Sequence, residues 1–234
     1  TGTLRETKKN GDSNTFIWEM AQPMATYLAS INIDQYELFT QRGPNEMTIR
    51  NYFPVDFPAS RRIGANILPA AIDYFDDLFG PYPFEEYGIV IANIDGVCKD
   101  SDFALETQSM SVHCPSIIMT SETVIIHELA HQWFGDSVSL ESWKDLWLKE
   151  GFATYAEWLW TTRDRDLSTL TKVVKVQMVS YYPSSATGYP PPNELYRDEV
   201  YKGGALVFHA LRLTVGEDAF FKIIQTYLDR FRGS

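Results

Sequence analysis

The chain lacks several features that would point to other classes of protein. Two cysteines in 234 residues, Cys98 and Cys114, are too few for a disulfide framework. They read first as two buried or unpaired thiols. A Cys98–Cys114 disulfide is the second reading and would point to an oxidising compartment. No apolar run approaches the roughly eighteen residues of a transmembrane helix, so no membrane span is expected in this chain. Basic residues are in deficit: 20 Lys and Arg stand against 31 Asp and Glu, a formal net charge of −11. A nucleic-acid partner, which needs a basic face, is therefore disfavoured. Low-complexity tracts are missing and aromatics make up 14% of the chain, which argues against disorder over most of its length. No signal peptide opens the chain. It begins within what reads as sheet, so the expectation is a piece of a longer protein whose flanking domains are missing. Histidine is scarce, with four residues, which makes any regular spacing between two of them informative.

What is present is a large apolar fraction, 44%, enough for one large domain or two small ones. Residues 15–20 follow the turn-like Asn10-Gly11-Asp12 and read as a strand, as do 25–33, 36–40 and 47–52. Ile63, Ile67, Ala70, Ala71, Tyr74, Phe75 and Leu78 then recur at helical spacing until Gly80-Pro81. An apolar strand is expected over 87–93 and a second extended segment over 103–112. Helices are expected at 121–134, 143–160, 166–181, 201–215 and 217–231, with a Pro-rich loop at 182–192. Strands first and helices after predict an α+β fold.

The chemistry is concentrated in His127-Glu128-Leu129-Ala130-His131. On a helix, positions i and i+4 share a face, so both imidazoles can reach one ion. Glu128 lies about 100° round the axis from His127 and can approach a water without itself binding the metal. A catalytic zinc takes three protein ligands and keeps one position open. Glu150, separated from His131 by eighteen residues and carried by the expected helix 143–160, supplies the third. Two His and one Glu make a ligand set for hydrolytic zinc, one ion per chain. His113 and His209 lack such spacing and read as ordinary packing or surface residues.

His127-Glu128-Leu129-Ala130-His131-Gln132-Trp133-Phe134-Gly135 and Trp147-Leu148-Lys149-Glu150-Gly151-Phe152-Ala153 resemble the extended motifs of the M1 family of zinc aminopeptidases, within the gluzincins. The similarity runs from about Pro23 to Phe231. It implies a thermolysin-like catalytic domain, a small mixed β-sheet lobe plus a helical lobe, over 34–234. Residues 1–33 would then be the last strands of an N-terminal β domain. Phe103-Ala104-Leu105-Glu106-Thr107-Gln108 is similar to the family's Gly-Ala-Met-Glu-Asn loop, keeping Ala and Glu but not Gly, Met or Asn. The resemblance gives Glu106 the substrate's free α-amino group, and an ammonium in a partly dry cleft does need a carboxylate. An edge strand there could also pair with substrate backbone. Tyr201-Lys202-Gly203-Gly204-Ala205 resembles the family's Tyr-x-Lys-Gly-Ala segment, which assigns Tyr201 to the oxyanion. Tyr196 is a weaker substitute.

The implied activity is removal of N-terminal residues from peptides, by a metal-activated water with Glu128 as general base. Two alternatives stand beside it. A thermolysin-like endopeptidase would share the zinc site without needing Glu106. A zinc-stabilised fragment would bind metal and have little activity alone.

Overall fold

The computed structural model describes residues 1–94, 97–98, 103–116, 122–179 and 186–234. Two strands, β1 (Thr3–Asn10) and β2 (Ser13–Glu19), pair antiparallel as a sheet of their own, with Thr3 opposite Glu19 and Asn10 opposite Ser13. Most of this hairpin is exposed. It is fastened at its base, where Gly2 N–H donates to Ser109 Oγ at 3.0 Å and Arg50 donates to Gly2 O at 2.7 Å. The expected strand at 25–33 does not form. Thr26–Leu28 makes a single 3-10 turn, and Ser30 is tied to Thr1 by its backbone, Ser30 N–H donating to Thr1 Oγ1 at 2.8 Å. Backbone groups of Ala25, Thr26, Leu28, Ala29 and Ser30 are thus engaged outside any ladder.

The main sheet contains β3 (Tyr36–Arg42), β4 (Thr48–Pro54), β5 (Glu86–Tyr87), β6 (Ile89–Ile91), β7 (Ala104–Leu105) and β8 (Ser111–His113), in the order β3-β4-β6-β8-β7, with β5 also on β4. β4, β6 and β8 are parallel neighbours; β3 and β7 run antiparallel at the two ends. The unbroken apolar run Ile89-Val90-Ile91 follows from this position, because a central parallel strand is buried on both faces. Ile89 and Ile91 pack into the main core, whereas Val90 meets Met110 and Val112 on the opposite face. The extended segment expected over 103–112 is in fact β7 and β8 joined by a turn, with Ser109 at φ 64°.

Helical spacing is realised as a 3-10 run, Ala59–Ile67, leading into α1 (Leu68–Phe79), whose Leu68, Ala71, Ile72, Phe75 and Phe79 are buried. The remaining helices are α2 (Glu122–Ala130), α3 (Leu146–Thr161), α4 (Leu167–Val179), α5 (Asp198–Val215) and α6 (Glu217–Phe231). The expected helix start at Ser121 and the stretch 182–185 of the Pro-rich loop lie outside the described residues. The α+β class holds, and no described helix is long and apolar enough to cross a membrane.

The cysteines depart from their first reading: Cys98 and Cys114 are joined, with Cα atoms 5.3 Å apart. The reason is topological. Cys114 directly follows β8 and is fully buried, and Cys98 N–H donates to Ile94 O just beyond β6, the strand beside it.

Candidate metal centre

α2 presents Ile125, Ile126, Leu129 and Ala130 to the core, which turns His127 and Glu128 toward a cleft of about 580 Å³. His131 lies one helical turn beyond His127 and is also buried. α3 packs against α2 and brings Glu150 across, buried, to the same point. Glu150 Oε2 lies 3.1 Å from His127 Nε2 and 3.3 Å from His131 Nε2.

The outer nitrogens explain why the inner ones converge. His127 Nδ1 is 2.7 Å from Glu157 Oε1, and His131 Nδ1 is 2.9 Å from the backbone oxygen of Phe134. Both partners are acceptors, so Nδ1 carries a proton in each ring and Nε2 is the nitrogen left to face inward. Two Nε2 atoms and a carboxylate oxygen thus converge on one point, where a proton or a metal ion can sit between them. Burial alone would lower His127, yet hydrogen bonds to Glu150 and Glu157 hold it well above the ordinary imidazole value. Burial alone would raise Glu150, but the charges of His131 and Lys149 hold it well below the usual carboxylate range. The donor set therefore fits zinc with His127, His131 and Glu150 as ligands.

The other expected residues line the same cleft. Burial pushes Glu128 up to about 8, against the pull of His127, and its Oε2 has no hydrogen-bond partner among the described residues. Glu106 follows β7 on the sheet side, buried, and can share a ligand point with Glu128 and His131. Tyr201, in the first turn of α5, stacks on the His127 ring at 5.8 Å. Burial raises its phenol, which stays a proton donor. Its position depends on a close helix crossing. A Cβ on Gly204 would fall 2.7 Å from Gly151 Cα, so α5 and α3 touch backbone to backbone only because both residues are glycine. Tyr196 also lines the cleft but is largely exposed. His113, buried in β8, and His209, 3.2 Å from the Tyr155 hydroxyl, lie outside the cleft lining, as expected.

Four residues of the site went unread in the sequence. Glu157 stands seven residues after Glu150 on α3, two helical turns on, and that spacing was the available signal. Gln132 fixes the Glu106 turn: its Oε1 accepts from Ser109 N–H at 2.7 Å and its Nε2 donates to Glu106 O at 3.4 Å. Lys149 pairs with both Glu106 and Glu150. Tyr27, from the 3-10 turn, lines the cleft against Trp143, ring centroids 5.3 Å apart. Gln132, Tyr27 and, in its pairing with Glu106, Lys149 meet their partners only through tertiary structure.

Residues 64–234 match the Peptidase family M1 domain. The chain belongs to peptidase family M1. Among curated relatives, glutamyl aminopeptidase of Sus scrofa is 26% identical over 92% of this chain and 25% of its own length. Aminopeptidase N of Rattus norvegicus is 34% identical over 67% of this chain and 17% of its own length. The crystal structure of the M1 zinc metallopeptidase from Deinococcus radiodurans superposes with a TM-score of 0.85 at 31% identity, covering 100% of this chain and 53% of that one. A mutant of that enzyme, bound to a Tyr-Ser-Ala substrate, gives 0.86 at 30% identity. The chain thus spans about a quarter of the curated relatives' length and about half of the solved structure.

Proposed function

We propose that this chain carries the catalytic centre of a zinc aminopeptidase acting on peptides with a free N-terminus. One observation carries the reading: the inward Nε2 atoms of His127 and His131 meet Glu150 Oε2 in a cleft that also holds the unpartnered carboxylate oxygen of Glu128. Zinc held there by His127, His131 and Glu150 would supply a Lewis acid for the scissile carbonyl and for a water molecule. Glu128, raised to about 8 by burial, would act as the base once a nearby zinc ion favours its ionised form: it takes the water's proton and delivers it to the leaving amine. Tyr201 donates its phenol to the carbonyl oxygen as charge builds there. Glu106 pairs with the substrate's α-ammonium, which fixes the cut one residue from the end. The same proposal assigns 34–234 to the catalytic domain and 1–33 to the end of an N-terminal β domain, supported by the separate two-stranded sheet of β1 and β2.

A second reading, a thermolysin-like endopeptidase, has one specific observation in its favour: Lys149 already neutralises Glu106. Release of a reporter from free and N-acetylated peptides separates the two, measured alongside zinc content. Cleavage of free peptides alone supports the aminopeptidase; equal cleavage of acetylated ones overturns it. A zinc-loaded chain that turns over slowly until the rest of the parent protein is supplied would be the fragment case.

A further inference from the structure

Lys149 is a cation in an acidic cleft. It is 4% exposed and shares the lining with Glu106, Glu128 and Glu150. A buried ammonium costs several kcal/mol unless its donors are met, on the order of magnitude known for buried ions, so its partners define what it does. Nζ donates to Glu150 Oε1 at 2.8 Å and to Glu106 Oε1. Adjacent residues on a helix point about 100° apart, so Lys149 reaches Glu150 through its flexible stem and not through register. Gly135 leaves room for that stem: a Cβ there would lie 3.3 Å from Lys149 Cδ.

The result divides the Glu150 carboxylate. Oε1 is engaged by Lys149, and Oε2 is the atom that faces both histidines. The same Nζ holds the carboxylate given to the substrate's N-terminus, from a residue 43 positions away in sequence. We propose that Lys149 is a positioning residue coupling the two halves of the site: it presents Glu150 to the metal through one oxygen and ties that carboxylate to Glu106. The inference rests on the zinc aminopeptidase reading.

Charge alone makes the opposite prediction. A cation beside a metal ligand repels zinc, so removing Lys149 would then tighten metal binding. Positioning predicts a looser site, because outer partners of metal ligands are worth about 10- to 100-fold in affinity. Zinc dissociation constants of the full chain, read by competition with a chelator, decide between them. Lys149→Met is expected to weaken zinc by about tenfold or more, and Lys149→Arg, which keeps the charge and donors, to restore most of it. Glu106→Gln is expected to weaken zinc measurably in the wild-type background and to have no effect when combined with Lys149→Met. Unchanged or tighter binding in Lys149→Met overturns the proposal, as does an equal Glu106→Gln effect in both backgrounds. If Lys149→Met does not fold, Lys149→Ala gives the same reading, again with no donor in place. A wild-type chain that takes up no zinc defeats the zinc reading itself; a wild type that binds while Lys149→Met binds as well defeats only the coupling.

Discussion

On the helical side of the cleft, His127 and Glu128 arrive on the last turn of α2 and His131 on the residue just after it, and Glu150 and Glu157 arrive two turns apart on α3. On the sheet side, Glu106 arrives on a turn after the two-residue strand β7, at the edge of the sheet. The helical residues hold their spacing through the backbone itself. The sheet residue is held from outside: by Gln132, by Gly2 on Ser109, by Lys149, and by the disulfide that encloses the segment. The helical half therefore suits bond breaking, which tolerates little displacement, and the sheet half suits selection of what is cut. The two should fail unequally when perturbed, each mainly in its own task, with Lys149 carrying part of any damage from one to the other.

The largest separation is expected from Glu128→Gln. The amide keeps the shape but cannot accept a proton, and kcat should fall by about 10³-fold, within the range for lost general-base catalysis. Zinc content, measured on the same sample, should not change, because Glu128 is no part of the His127–His131–Glu150 set. Normal turnover with metal bound would end the mechanism.

Removing the disulfide tests the other half. Cys98 and Cys114 are 16 residues apart, and closing a loop of that size is worth about 3 kcal/mol in the chain-entropy account. The double variant Cys98→Ser with Cys114→Ser should lose about that much stability to denaturant. Its KM for free-amine peptides should rise by a larger factor than its zinc affinity falls, since the enclosed segment carries Glu106 and no proposed metal ligand and reaches Glu150 through Lys149. Equal damage to metal binding would show that the two halves are one unit.

The same contrast governs what could be read from the sequence. Helical period exposes α6 at its true bounds, 217–231, and puts His127 and His131 on one face, because an i, i+4 pair on an apolar helix leaves one face for an ion; Glu150 is read as the third ligand from a second expected helix. Residues 25–33 mislead for the opposite reason. Their apolar content suits a strand, but the Thr1–Ser30 hydrogen bonds and the 3-10 turn consume the backbone groups a ladder needs. The 103–112 segment was seen as extended but not as a hairpin, since the turn depends on Gln132 and on Ser109 at positive φ, a conformation uncommon for a side-chain-bearing residue. Lys149 and Glu106 lie 43 residues apart, and nothing in either segment announces the other. The disulfide likewise needs β6 and β8 side by side before its cysteines become neighbours.

Glu106→Gln should have a more specific effect than removing the disulfide. A hydrogen bond to a charged partner is worth about 1.5–3 kcal/mol, so the preference for free over acetylated N-termini should shrink by about 10- to 100-fold. kcat on whatever is still cut should move far less. A retained preference would pass the anchoring role to another carboxylate of the cleft and leave the sheet half without a chemical task.

The smallest effect is expected at Glu157, and it divides the helical half against itself. His131 is held by a backbone oxygen, which no side-chain substitution removes; His127 is held by the Glu157 carboxylate, whose side chain is 23% exposed. Glu157→Gln keeps an acceptor for Nδ1–H, so the ring stays in place, but it withdraws a charge that makes Nε2 a better ligand. Solvent at Glu157 screens part of that charge. Zinc affinity should therefore weaken by about tenfold, at the low end for such partners, with the free-over-acetylated ratio unchanged. A loss confined to the metal would mean that the helical half reaches the sheet half through Lys149 and not through His127. A shifted ratio would mean that Glu157, from the far side of the metal point, also shapes what the cleft accepts.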